Sequence, residues 1–190
     1  MKKEDNEKEQ RILDTAAELF SRRPFHKVLL SDVARVAAVG KGTLYLYFKS
    51  KEDLYFAVLF REFSSLIESM RRFLDESDLP PDEELTGVIR ILAEHIYARA
   101  FNLELVGFVV TCPVTDEWKR LRADLWGLFE SIIRRGVAQG LFRDEDPALT
   151  PRYISGMIRA VCLFAPEGAE LDGLCRHAGN FVLRGLCVGR

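Results

Sequence analysis

The sequence has only four cysteines and three histidines among 190 residues, and their placing excludes more than it suggests. Cys112, Cys162, Cys175 and Cys187 form no CxxC pair and have no histidine at ligand spacing, which argues against a zinc site or a disulfide framework. They are expected as small buried hydrophobes. His26, His95 and His177 lie far apart, no GxSxG or HExxH occurs, and the glycine between Lys41 and Thr43 rules out a P-loop. An enzyme is not expected, and neither a cofactor nor a metal. The longest uncharged apolar run, Leu105 to Thr115, is about half of what a bilayer span needs. The opening MKKEDNEKEQ also lacks the apolar core of a signal peptide, so a cytoplasmic protein with no membrane partner is expected. No stretch keeps a period of two, and there is no internal repeat or low-complexity segment.

What remains is an ordinary globular composition, 48% hydrophobic and 29% charged, with an uneven charge map. The net charge is only −2, yet residues 1–51 carry 11 Lys and Arg against 7 Asp and Glu, leaving 16 against 22 for the rest. Between Arg22 and Lys51 the only acid is Asp32. A basic end on an acidic chain suits a polyanion partner there and another task elsewhere, although a solvated basic face would carry the same charge.

The spacing predicts helices throughout. Ile12, Leu13, Ala16, Leu19 and Phe20 mark a first helix, which Pro24 terminates. A second covers about residues 30–37, a third 41–48, and Ser50 to Asp53 reads as a capping box opening a long fourth helix to about residue 76. After the break at SDLPPDEEL, Asp82 is expected to cap a helix over about 83–100. A long helix follows from Asp116 to near Gly140. Thr150 as N-cap, with Pro151 at the first helical position, opens a helix to about Phe164, and a last helix covers about 169–186. The expected fold is all-α, with about nine helices.

In KGTLYLYFKSKEDLY, residues 41–55, Leu44 and Phe48 share the inward face of the third helix. Lys41, Thr43, Tyr45, Leu46 and Tyr47 are thereby spread over its outer side. Hydroxyls and a lysine there suit phosphates, Lys41 also a guanine edge, and Leu46 a thymine methyl. Two short helices joined by three residues form a helix-turn-helix. A small bundle with an aromatic partner-binding patch is the alternative from the chemistry alone.

Residues 12–59 further resemble the DNA-binding domain of TetR-type transcriptional regulators. Lys41-Gly42-Thr43-Leu44-Tyr45, Tyr47-Phe48, Ser50-Lys51-Glu52 and Leu54 follow that family's pattern DIAxxAGVSKGTLYxYFxSKExL. The resemblance implies that Lys41, Gly42, Thr43, Tyr45, Leu46 and Tyr47 lie at the DNA groove and that Lys51 meets a phosphate. This chain departs from the pattern at Ala38, usually glycine, at Gly40, usually serine, and at Val28 and Leu29, usually threonines. The implied plan is a DNA-binding domain over residues 1–50 and a helical ligand-binding and dimerisation domain over 51–190. Its partners would be a double-stranded operator, a small effector and a second copy of the chain.

Dimerisation also has a physical motive, because one short helix makes few base contacts and two related by a dyad can read a palindrome. The family places the dimer interface on the last two helices, which carry Tyr153, Ile154, Met157, Ile158, Val161, Leu174, Ala178, Phe181 and Val182. An internal core would use the same stripes. For an effector, Tyr97, Phe101, Phe108, Trp118, Trp126 and Phe129 supply aromatic bulk, with His95, Thr111 and Cys112 as polar anchors. Core packing is the competing use of these aromatics. No Lys or Arg cluster lies among them, so an apolar or aromatic effector is expected. The expected function is a ligand-responsive repressor released from a palindromic operator. A helical small-molecule binder with a weakened DNA domain, and an activator or DNA-organising factor without a small ligand, are the alternatives.

Overall fold

The computed structural model describes residues 2–97, 115–165 and 167–188, with no side-chain detail for residues 2 and 3. Eight α-helices occur among the described residues. They are α1 (Lys2–Arg22), α2 (Leu30–Val36), α3 (Lys41–Tyr47), α4 (Lys51–Asp75), α5 (Pro81–Tyr97), α6 (Asp116–Ala138), α7 (Thr150–Leu163) and α8 (Leu171–Leu186). A single 3-10 turn, Phe25–Lys27, follows α1, and the only extended pairing among the described residues is an isolated bridge between Phe142 and Cys187. The class is all-α, as the periodicity predicts.

By its contacts the chain divides inside α4, between Phe63 and Ser64. The reason is packing: Leu54, Tyr55 and Val58 of α4 are buried in the same core as Ile12, Ala16 and Phe20 of α1, Val33 and Ala34 of α2, and Leu44 of α3. At its centre Tyr55 meets Phe20 and Phe25 edge-on, with ring centroids 5.0 and 5.2 Å away, while the two phenylalanines stack at 5.7 Å. Pro24 ends α1 and starts the 3-10 turn that delivers Phe25 to this cluster.

The turn between α2 and α3 is a Schellman motif. Val39 N–H donates to the Ala34 carbonyl at 3.0 Å and Ala38 N–H to that of Arg35 at 3.3 Å. This geometry puts Ala38 at φ 52, the left-handed region, where a Cβ is unfavourable. At the start of α4, Ser50 Oγ accepts from Asp53 N–H at 3.0 Å, while Asp53 Oδ2 accepts from Lys49 N–H at 3.0 Å. The capping box is therefore present with its return bond shifted one residue upstream.

In the second unit, which begins at Ser64, α5 packs against α6, α7 and α8. Leu85, Val88, Ile89 and Leu92 of α5 are buried, as are Phe129, Ile132 and Ile133 of α6 and Ile154 and Ile158 of α7. A Cβ at Gly87 would come within 2.3 Å of the Phe73 ring, so a larger residue there would make that ring shift. Glu84 is the one buried charged residue in the described core, and the half-exposed Arg135 guanidinium pairs with it. Removing the arginine would leave an uncompensated buried carboxylate.

Two expected helix starts are corrected. Asp82 is not a cap: α5 begins at Pro81, whose missing N–H and fixed φ suit the first helical position, and Pro80 O accepts from Glu84 N–H at 3.0 Å. Thr150 is not a cap either. Asp146 opens that turn, its Oδ1 accepting from Ala148 and Leu149 N–H at 3.2 and 3.1 Å, so Thr150 is already helical.

Ala38→Gly should stabilise the protein by about 0.5–1 kcal/mol, the relief of left-handed strain less the extra chain entropy of glycine. Urea denaturation measures it; an unchanged or lowered midpoint would mean that Ala38 is not strained.

Candidate nucleic-acid interface

The helix α3 has seven residues, too few to be stable alone, and is held by Leu44 and by Phe48 just beyond its end, both buried. Gly40 serves as its N-cap with no side-chain bond, so backbone conformation alone starts the helix. With Leu44 inward, Lys41, Gly42, Tyr45 and Leu46 are exposed and Thr43 is half-buried. Leu46 is 85% exposed, more than any other large hydrophobic residue on the described surface. An isobutyl group so placed has no role in the chain's own packing.

Tyr47 and Lys51 occupy other settings. Tyr47 lies three positions after Leu44 and packs partly against the core, and its hydroxyl donates to the Asp5 carbonyl at 3.1 Å, with the Asp5 carboxylate at 3.5 Å. Partial burial, then the charges of Asp5 and Glu9, hold the phenol above its ordinary pKa. Lys51 Nζ donates to the Phe25 carbonyl at 3.0 Å and sits 4.4 Å above the Phe25 ring. The sequence carries no local signal for either contact, which join positions 42 and 26 residues apart. Around them Asp32 answers Arg23 and Arg35 at 3.8 and 3.4 Å, while Lys27, Lys41 and Lys49 are exposed.

The described residues among those expected at an effector site have different settings. Phe101, Phe108, Thr111 and Cys112 lie outside the described residues. Phe129 and Trp118 are buried in the second unit's core, and Tyr97 donates its hydroxyl to the Ala169 carbonyl at 3.2 Å. Trp126 Nε1 donates to Ser155 Oγ at 3.2 Å, with the Arg152 guanidinium 4.4 Å over its ring. His95 is half-buried near the end of α5.

The expected dimer residues split in two. Ile154, Ile158, Ala178 and Val182 are buried in the chain's own core, where α7 and α8 pack on α5. Tyr153, Val161 and Phe181 are exposed, together with Phe164, and Met157 and Leu174 are half-buried.

Residues 12–58 match the bacterial regulatory proteins of the tetR family, and residues 78–186 match the tetracyclin repressor-like C-terminal domain. The chain belongs to the tetR family. Among its relatives is the fatty acid metabolism regulator protein of Bacillus subtilis, 34% identical over 162 residues that cover 82% of each chain. The transcriptional repressor NicS of Pseudomonas putida is 28% identical over 80% of this chain and 73% of its own. A similar fold occurs in the regulator FadR of Bacillus subtilis in complex with stearoyl-CoA, with a TM-score of 0.74, 22% identity and coverage of 93% and 98%. A regulator of Saccharomonospora viridis in complex with choline gives a TM-score of 0.75, 21% identity and coverage of 95% and 98%. As a tetR-family member the chain is a ligand-responsive, DNA-binding transcriptional regulator. The first match contains the whole helix-turn-helix, and no described helix is long and apolar enough to cross a membrane.

The Lys51 contacts carry a consequence independent of DNA. Lys51→Ala should cost about 1–2 kcal/mol through the lost charged hydrogen bond and ring contact. Urea denaturation of the free protein tests it, and an unshifted midpoint would show that the ammonium contributes nothing to folding.

Proposed function

We propose that the chain is a cytoplasmic, homodimeric repressor that reads a palindromic operator with α3 and leaves it on binding an effector with a long apolar chain. The observation that carries the DNA reading is the outer face of α3, where Leu46 stands exposed beside Lys41 and Tyr45. Leu46 meets a thymine methyl, Lys41 a phosphate or guanine edge, and Thr43, Tyr45, Tyr47 and Lys51 the backbone, while Gly42 lets the helix approach closely. The exposed apolar stripe of Tyr153, Val161, Phe164 and Phe181 is the surface for the second copy.

The effector class is supported by kinship. The 34% identical relative is named for fatty acid metabolism, and a protein of the same fold was solved with stearoyl-CoA. A long-chain acyl thioester is therefore the first probe. Its effect would travel along α4, whose first part is built into the unit with the helix-turn-helix and whose last part belongs to the second unit. An effector that binds the two states of this helix unequally shifts the operator equilibrium by that difference.

Selection of bound fragments from sheared genomic DNA, at near-physiological salt, should recover a short palindrome. Leu46→Ala should change preference at one base pair in each half-site, by about 1–3 kcal/mol; unchanged preference would remove Leu46 from the base contacts. Stearoyl-CoA should raise the melting temperature and release the selected fragment, and failure of both would remove that effector class.

Phe181→Asp should yield a monomer in sedimentation with operator affinity reduced toward the nonspecific level; a dimer persisting in that variant would relocate the interface.

A further inference from the structure

The helix α4 runs unbroken from one unit into the other, and each unit holds different turns of it. Leu54, Tyr55 and Val58 are buried in the first unit's core, and Leu66, Ile67 and Met70 are buried in the second unit. No residue from Leu59 to Ser65 is buried, and the boundary between the units falls inside that stretch. Packing supports these turns least, so their own helix propensity must hold them. Ser64 and Ser65, both poorer helix formers than alanine, stand right after the boundary.

Ser65-Leu66-Ile67-Glu68 has the spacing of a capping box ahead of apolar positions. In a helix that began there, the Ser65 hydroxyl would accept from Glu68 N–H and the Glu68 carboxylate from Ser65 N–H. Two donors released by the break would thereby regain acceptors. Both side chains are exposed, and neither makes a hydrogen bond or ion pair among the described residues. The Ser65 carbonyl, which accepts from Ser69 Oγ at 2.9 Å, would stay in the second part of the helix, because an N-cap carbonyl already accepts the first helical bond. The same spacing at Thr15 to Glu18 of α1 has no such freedom, since Ile12, Ala16 and Phe20 are buried around it.

We propose that α4 carries a latent second start at Ser65: the helix opens there, the capping box takes up released donors, and α4 exists in a continuous and a two-part form. The use of this joint in regulation rests on the reading that the effector acts through α4. An effector that binds the two forms unequally shifts their ratio by that difference.

The test is amide hydrogen exchange of the full chain, read by NMR relative to intrinsic rates. A start at Ser65 leaves the Leu66 and Ile67 N–H groups without helical acceptors, so both should exchange at least about 10-fold faster than those of Val58 and Met70. Ser65→Ala removes the cap and is expected to slow them about 3- to 10-fold, whereas Ser65→Asp, another good cap, should leave them within about 2-fold. Glu68→Ala is expected to slow them about 3-fold, although residue 68 is helical in both forms and its propensity cancels. Equal protection of all four amides in the wild type would overturn the proposal. Slowing by Ser65→Ala but not by Glu68→Ala would reduce the effect to helix propensity, and equal slowing by Ser65→Ala and Ser65→Asp would remove the cap; either result overturns it too. Exchange is read without DNA or effector, so failure of the effector reading leaves these outcomes unmoved.

Discussion

The DNA-reading end depends on one aromatic cluster. Tyr55 of α4 is buried with Phe20 and Phe25 packed edge-on against it, and these three rings join α1, the 3-10 turn and α4. The two short helices α2 and α3, each of seven residues, cannot hold their shape without a surface to seat on. They take it from the core around those rings, through Val33, Leu44 and Phe48. Lys51 fastens the same place from outside, its ammonium tying the Phe25 carbonyl and ring to the first residue of α4.

A core that fixes α3 so firmly leaves its outer face free to be chemically unusual. Leu46 and Tyr45 are exposed because Leu44 and Phe48 already satisfy the packing, and a seven-residue helix has only one inward stripe. The departures from the family's pattern fall on the frame and not on this face. Ala38 accepts left-handed strain and Gly40 caps without a side chain, so the turn is held by backbone bonds and by the core on either side. The turn is thus held without the residues that would favour it most.

In the second unit α7 and α8 each divide their apolar residues between two tasks. Ile154, Ile158, Ala178 and Val182 close the core on α5, while Tyr153, Val161 and Phe181 point away from it. Each of these helices already packs on more than one neighbour in the chain, and the apolar residues they still expose are surface that this packing leaves uncovered. Burial thus separates residues that look alike as a sequence stripe. The aromatics show the same separation: Trp118 and Phe129 are core, whereas Trp126 lies at the α6 and α7 boundary under Arg152.

The all-helical class, the positions of most helices and the helix-turn-helix were legible in the sequence, because helical periodicity and proline breaks act within a few residues of themselves. Helix starts were less so: at Pro81 and Asp146 two good capping signals stood side by side, and geometry chose the one further upstream. What the tertiary structure alone decided are the contacts between distant positions. Nothing near Tyr47 announces that the Asp5 carbonyl will accept from its hydroxyl, nor near Lys51 that the Phe25 carbonyl will accept from its ammonium. Residue type and spacing settle which side chains face outward; only the packed chain settles whether an outward donor is free, because a hydrogen bond needs a partner within about 3 Å.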